Sequence, residues 1–414
     1  MKPLRVNGER LWRSLMELAR IGATAKGGVK RLALSDVDRE GRDRFVAWAR
    51  EAGMQTRCDA IGNLFALRHG SDARAAPILL GSHLDSQPSG GKFDGAYGVM
   101  AGLEVVRTLN DAAMSTRAPI EVAAWTNEEG SRFPPGMMGS GVFTGVHALD
   151  FALAQKDLDG VTVKEELERI GYRGSGQPHP VGAYFEAHIE QGPVLEATRT
   201  QIGVVQGALG QRWFDVIVTG QDAHAGPTPM DKRQDALVAA SRLVIEVNRI
   251  ATTFPDYARG TVGQLQVKPN SRNVVPGEVR MSTEFRNASD ATLLAMVEEY
   301  RRVAKEVEAA CRVSIDLQEI VHFPPSQFAP ELVASVREAA HALGFSHRDI
   351  ISGAGHDAVY LSRVAPTAMI FVPCEGGISH NETESATPQD LAAGCDVLLH
   401  AVLARAGVAS RQEA

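Results

Sequence analysis

Three short runs, at residues 77–81, 121–125 and 368–372, apolar except for Glu121, each open directly into a loop that carries carboxylate or imidazole side chains. A strand that is apolar on both faces has to be covered on both faces, which is the pattern of a strand inside an α/β sheet. Segments with apolar residues at helical spacing accompany these runs. They fall at 7–22 (Leu11, Leu15, Leu18), at 36–52 (Phe45, Trp48, Ala49) and at about 95–110, and Gly53 suits the end of the second. Residues 55–58 and 63–68 read as a pair of strands. Strands alternating with helices of this length predict an α/β fold.

The middle of the chain has a different rhythm. Residues 213–219 alternate (WFDVIVT), 232–251 have helical spacing, and 260–267 and 278–285 alternate again. A long amphipathic helix at 291–311 and an alternating segment at 313–318 follow. The order β-α-β-β-α-β is that of the ferredoxin-like split unit. Beyond it come a helix at 330–343, the apolar strand at 368–372 and a last helix at 388–406. The spacing predicts one α/β domain made of residues 1–211 and 328–414, with a smaller α/β domain inserted at 212–327.

With 414 residues the chain can bury a core without disulfides or metals as staples. A formal charge of −7 supplies no electrostatic reason to seek nucleic acid or an anionic membrane. Cys58, Cys311, Cys374 and Cys395 are far apart and form no C-x-x-C. That argues against a thiolate zinc site and a disulfide scaffold, and makes a reducing, cytoplasmic setting the expectation. The first twenty residues lack the apolar core of a signal peptide, so a mature protein is expected. No apolar stretch reaches the length of about 18 residues that a membrane span needs.

The chemistry gathers where the apolar strands end. After residues 77–81, His83 and Asp85 stand two apart, so strand geometry puts both side chains on one side. In such an H-x-D pair a carboxylate can orient an imidazole whose other nitrogen binds a metal. Asp94 follows in the glycine-rich GGKFDGAYG. After residues 121–125 come Glu128 and Glu129, which point in different directions at a strand end. One can bind a metal while the other acts as general base on a bound water. His188 lies in the otherwise apolar YFEAHIEQG, and His380 follows GGIS after the strand at 368–372. Taken singly, each has an ordinary explanation: a turn, a solvated acidic pair, a satisfied core histidine. Four such signals at strand ends of one sheet are stronger together, because α/β sheets bind ligands at the carboxyl ends of their strands. The donors are all nitrogen and oxygen, which suits zinc, manganese, cobalt or nickel. Five ligands are too many for one open zinc site; if Asp94 bridges, they divide into two sets of three.

Competing motifs are weaker. Residues 353–358 (GAGHDA) fit the dinucleotide fingerprint by letter, without a clear βαβ context. There is no P-loop and no strict G-x-S-x-G. Cys374 follows a strand but lacks the local sequence of a nucleophile.

GSHLDSQPSGGKFDG, TNEEGSRF, EAHIEQGPVLE, GQDAHAGPTPM, NVVPG and SGAGHDA…ISHNE together resemble the amidase, hydantoinase/carbamoylase family, in that family's order from about residue 10 to 405. Its members include N-carbamoyl-L-amino-acid amidohydrolases, allantoate amidohydrolases and β-ureidopropionases, and it is related to zinc aminoacylases and di- and tripeptidases. The resemblance implies a two-metal, aminopeptidase-like catalytic domain with an inserted ferredoxin-like lid that dimerises. It implies one divalent metal on His83, Asp94 and His188, a second on Asp94, Glu129 and His380, and Glu128 as the base. It further implies that His224 reaches the partner subunit's site and polarises the scissile carbonyl, and that Asn273 and Arg286 bind the substrate's carboxylate. Gln191 and Gly355 match substrate contacts; Gln211 and Arg212, at the entrance to the lid, are weaker candidates. On the residues alone Arg286 reads as a surface salt bridge. The expected substrate is a small carboxylate-bearing ureido compound, an N-carbamoyl-L-amino acid first, with allantoate, β-ureidopropionate or a small peptide as rivals. A homologue that had lost its metals would lack a ligand or Glu128, and none is missing.

Overall fold

The computed structural model describes residues 3–254 and 256–409. The chain divides into two compact units, one made of residues 1–206 with 327–414 and the other of residues 207–326.

The first unit is built on a mixed sheet of nine strands. Four of them run parallel in the order Ile120–Trp125, Ile78–His83, Ala183–Ile189 and Thr367–Val372. All four are buried along their whole length, as their apolar sequences require. Leu79, Leu80, Val122, Phe185 and Ile370 have no exposed surface, and each such side chain contributes roughly 1.5–3 kcal/mol on burial. Antiparallel strands flank this centre: Leu64–Arg68 beside Ile120–Trp125, and Ile202–Ala208 beside Thr367–Val372. The parallel direction brings four chain exits to one end of the sheet. These are His83, the turn after Trp125, the residues after His188 and the loop after Val372. The helix Ala96–Asp111 starts directly behind Asp94, with Gly95 as its N-cap. Gly95 has a φ of 63°, and a Cβ there would lie 2.3 Å from the His83 ring, so only glycine fits.

In the second unit the strands Gly210–Thr219, Leu265–Lys268, Glu278–Asn287 and Ser314–Phe323 form an antiparallel sheet, with Gly210–Thr219 and Glu278–Asn287 at its centre. With the helices Ala236–Thr253 and Asp290–Cys311 this is the ferredoxin-like order. Phe214, Val216, Val218, Val279, Met281 and Phe285 face the helices in one core. The long segment at 260–267, expected as one strand, is two: Arg259–Thr261 and Leu265–Lys268 both pair with Glu278–Asn287, at different places along it. The helix expected from residue 232 begins at Ala236, where the Asp235 carboxylate accepts from the N–H groups of Leu237 and Val238. The strands Ile202–Ala208 and His347–Ser352 have no counterpart in the sequence reading. No helix among the described residues is long and apolar enough to cross a membrane.

Candidate active site

At the carboxyl end of the parallel strands, His83 and His188 from two strands meet Asp94, Glu128, Glu129 and His380 from three loops. Asp94 is the hinge of the arrangement. Its Oδ1 lies 3.2 Å from His188 Nε2 and 3.5 Å from His83 Nε2, and its Oδ2 lies 3.3 Å from His380 Nε2. Glu129 Oε2 lies 3.3 Å from the same His380 nitrogen, and Glu128 Oε2 lies 3.5 Å from His83 Nε2. Two groups of potential ligand atoms follow, His83–Asp94–His188 and Asp94–Glu129–His380, with the atoms of each within 4.8 Å of one another. The adjacent glutamates do face different ways: Glu128 toward the first group, Glu129 toward the second.

The hydrogen bonds fix which nitrogen of each buried histidine is free. His188 Nδ1 lies 2.8 Å from the Ile189 carbonyl and therefore donates to it; its Nε2 accepts from the Gly95 N–H at 3.1 Å. His83 Nδ1 likewise donates to the Asp85 carbonyl at 2.9 Å. His83 Nε2 thus faces two carboxylate oxygens, Asp94 Oδ1 and Glu128 Oε2, at 3.5 Å each, whereas His188 Nε2 stands between the Gly95 N–H and Asp94 Oδ1. Lone pair against lone pair is repulsive unless a cation lies between them, a proton or a metal ion. The proton affinities carry the same message. Burial opposes charge on His83, yet Glu128, Asp94 and Asp85 raise its pKa well above the usual histidine range. Hydrogen bonds donated to the Asp94 and Glu129 carboxylates raise that of His380 to about 10. Burial pushes the Asp94 carboxyl up, but its three histidines win and hold it well below the usual range. Glu128 is raised well above the ordinary range by burial. The donor set, its spacing and its demand for positive charge fit a pair of divalent cations sharing Asp94.

Asp85 departs from expectation. Its carboxylate was expected to orient the His83 ring, but it stands 3.9 Å from Nδ1, and the residue's own backbone carbonyl takes that bond. The carboxylate instead accepts from the N–H groups of Glu128 and Glu129, at 3.2 Å each. The reason is local. The strand ends at His83, so the alternation that would align the two side chains stops there. Asp85 thereby positions both glutamates through their backbone.

Several groups around the site had no signal in the sequence. Gln87 holds Glu129 from two sides, by its N–H at 3.1 Å and its amide at 2.7 Å. Glu186, buried behind His188, accepts from Ser82, Tyr184 and the Ala358 N–H. The His356 ring stacks edge-on against His188 with centroids 4.6 Å apart, its Nε2 2.9 Å from Ser352 Oγ. Glu186, His188 and His356 form a further possible ligand group, but its members are engaged by these neighbours. Asn127, Gln191 and His380 all have left-handed backbones, with φ of 54°, 56° and 53°. Such strain in non-glycine residues gathers at functional sites; a loop sequence does not reveal it.

The remaining candidates fall as follows. Gln191 donates its amide to Asp94 Oδ2 at 2.9 Å and to Ser379 Oγ at 3.1 Å. Gly355 lies in the loop before the short helix Asp357–Leu361, against the Met137 thioether. His224, Asn273 and Arg286 belong to the second unit. His224 pairs with Val274 in a two-residue bridge beside Asn273, whose carbonyl accepts from the Ala225 N–H at 2.9 Å. Arg286 is paired with Glu284, which accepts from Nε and Nη2 at 3.1 Å each. Gln211 and Arg212 lie within the strand Gly210–Thr219, opposite Arg286 and Phe285.

Comparison with known proteins agrees over nearly the whole chain. Residues 79–404 match the model of the peptidase family M20/M25/M40. An N-carbamoyl-L-amino-acid amidohydrolase of Rhizobium meliloti is 48% identical, covering 98% of each chain. An allantoate amidohydrolase of Bacillus subtilis is 34% identical over 92% of this chain and 93% of its own. A solved amidase of the hydantoinase/carbamoylase family from Burkholderia multivorans superposes with a TM-score of 0.94 at 56% identity, covering 97% of this chain and 98% of the other. The chain belongs to the peptidase family M20/M25/M40, among its hydantoinase/carbamoylase amidases, and is a hydrolase of C–N bonds outside peptides.

Proposed function

We propose that the protein hydrolyses the ureido group of N-carbamoyl-L-amino acids, giving the amino acid, ammonia and carbon dioxide, with two divalent cations held at the strand ends. The observation that carries this reading is the division of labour within Asp94, one oxygen toward His83 and His188 and the other toward His380. The relative at 48% identity, named for N-carbamoyl amino acids, supports that substrate ahead of allantoate, for which the cited relative is 34% identical.

His83, Asp94 and His188 would hold one cation, and Asp94, Glu129 and His380 the other; zinc, manganese, cobalt and nickel all suit these donors. Bound there, the pair would polarise the scissile carbonyl and make an attacking water more acidic. Glu128 is the base. Its carboxylate stands at the first group without the hydrogen-bonded clamp that Gln87 places on Glu129, and burial raises its proton affinity. It takes the proton from water and delivers it to the leaving nitrogen, a role typically worth about 10²–10⁴ in rate. Asp85 keeps the two glutamates in register by holding their backbone N–H groups.

For the second unit we extend the reading from the family pattern: His224 polarises the carbonyl in a homodimer, and Asn273 and Arg286 bind the substrate carboxylate. Gln191 and Gly355 are the proposed substrate contacts of the first unit. A guanidinium offers a planar fork where an ammonium offers a point charge, so Arg286→Lys should raise KM several-fold more than it lowers kcat. An unchanged KM removes Arg286 from substrate binding. The direct test is a panel of N-carbamoyl-L-amino acids, β-ureidopropionate, allantoate and dipeptides, assayed with added manganese, cobalt, nickel or zinc. Release of ammonia from N-carbamoyl amino acids at the highest kcat/KM is expected; preference for allantoate or dipeptides overturns the substrate assignment.

A further inference from the structure

The loop that delivers His380 also delivers a second acid, Glu384, and that residue faces away from solvent. It is 2% exposed. Its Oε1 accepts from the backbone N–H of Phe93 at 2.8 Å and from that of Asp94 at 3.1 Å. Its Oε2 lies 3.0 Å from Ser379 Oγ, and the same hydroxyl lies 3.0 Å from Asp94 Oδ2. The opposing loop closes over the carboxylate so tightly that a Cβ on Gly91 would fall 2.0 Å from Glu384 Cδ.

Two physical facts set this contact apart from ordinary loop packing. A carboxylate buried beside another carboxylate is costly, and neutral groups could tie two loops together without that cost. Further, His380 has a left-handed backbone with a φ of 53°, which persists only where the surroundings over-determine it. Glu384 supplies that restraint from four residues downstream, and Ser379 supplies it from one residue upstream. Asp94 keeps an independent anchor on its other side, because Gly95 caps the helix Ala96–Asp111.

We propose that Glu384 is a positioning residue that sets the distance between Asp94 and His380 and thereby builds the second metal group. This rests on the two-cation reading given above. Glu384 does not touch the ion. It holds the backbone of one ligand directly and meets the loop of the other at Ser379, whose hydroxyl stands between the two carboxylates. Partners of metal ligands that act at this remove typically contribute about 10–100-fold in metal affinity.

The test is a stepwise manganese or zinc titration of the full-length metal-free protein against a competing chelator, for wild type, Glu384→Ala and Glu384→Asp. Wild type should take up two equivalents. Glu384→Ala should bind the first equivalent within a few-fold of wild type and the second about 10–100-fold more weakly. Glu384→Asp, one methylene short of both loops, should show the same selective loss and decides the matter if the alanine variant does not fold. Glu384→Gln, whose amide oxygen can still accept from Phe93 and Asp94, should recover most of the second affinity. Two equivalents at wild-type affinity in the alanine or aspartate variant overturn the role of Glu384 alone. An equal loss of both equivalents also overturns it, since that is what general loosening of the loops produces. A wild type that binds fewer than two equivalents overturns the two-cation reading and this inference with it.

Discussion

The two ligand groups that share Asp94 are built from different materials. The His83–His188 side stands on neighbouring parallel strands, with both imidazoles at most 2% exposed and both Nδ1 atoms tied to backbone carbonyls. The Glu129–His380 side hangs on loops, and the His380 side chain is 52% exposed. A ligand whose rotamer and tautomer are fixed by the sheet loses little freedom when it takes a metal, whereas a loop ligand has to be ordered by its neighbours. On the two-cation reading proposed above, the first group should therefore be the tighter one and the second the more exchangeable, dependent on Gln87, Ser379 and Glu384.

The largest effect should separate the two glutamates that stand on either side of this divide. Glu128→Gln should lower kcat by about 10²–10⁴ while both metals remain bound, because it removes a base and no ligand. Glu129→Gln should lose the exposed metal first. If Glu128→Gln loses a metal and Glu129→Gln keeps both, the roles of the pair are exchanged. Metal content measured by mass spectrometry, together with kcat, reads both outcomes.

Alanine at the histidines sharpens the contrast. His380→Ala should retain about one metal per chain, whereas His188→Ala should retain neither at ordinary concentrations, since Asp94 then loses the neighbour that anchors it. Equal loss from both variants would mean that the groups fill as one unit. Chelation should follow the same order, with the exposed metal leaving first and the circular dichroism of the fold retained, because the core of the first unit is apolar and continuous without any ion.

Much of this centre is legible in the sequence because strands and ligands repeat a simple rule. An apolar run ends, and a donor follows: His83, Glu128 and Glu129, His380. What is not legible is the support. Asp85 looks like the partner of His83, but the strand stops two residues before it, and its carboxylate turns to the backbone of the glutamates. Glu384 is one acid in NETES and gains its meaning only from Phe93 and Asp94, some 290 residues away in the chain. The strand Ile202–Ala208 carries glycines that weaken its pattern, and His347–Ser352 (HRDIIS) is mostly polar. Between Arg259–Thr261 and Leu265–Lys268 the alternation runs on through a break in pairing, so two strands read as one.

The smallest effect in this series is a pH dependence of the exposed group. Asp94 and Glu129 raise the His380 pKa to about 10, so below that pH the metal-free imidazole carries a proton. A metal needs the neutral ring and displaces that proton. Affinity of the second equivalent should therefore fall as pH drops from 9 to 7, by up to about tenfold per unit, with proton release seen calorimetrically in buffers of different ionisation enthalpy. A second equivalent whose affinity ignores pH would mean that His380 is not its ligand.

The central claim is that one carboxylate, Asp94, joins two cations. Anomalous diffraction from crystals grown with manganese or zinc tests it most directly. Two peaks about 3.5–4 Å apart are expected, one beside each oxygen of Asp94, with the peak at His83 and His188 at full occupancy and the one at His380 weaker. A single peak at full metal saturation, or two peaks that do not both contact Asp94, contradicts the account.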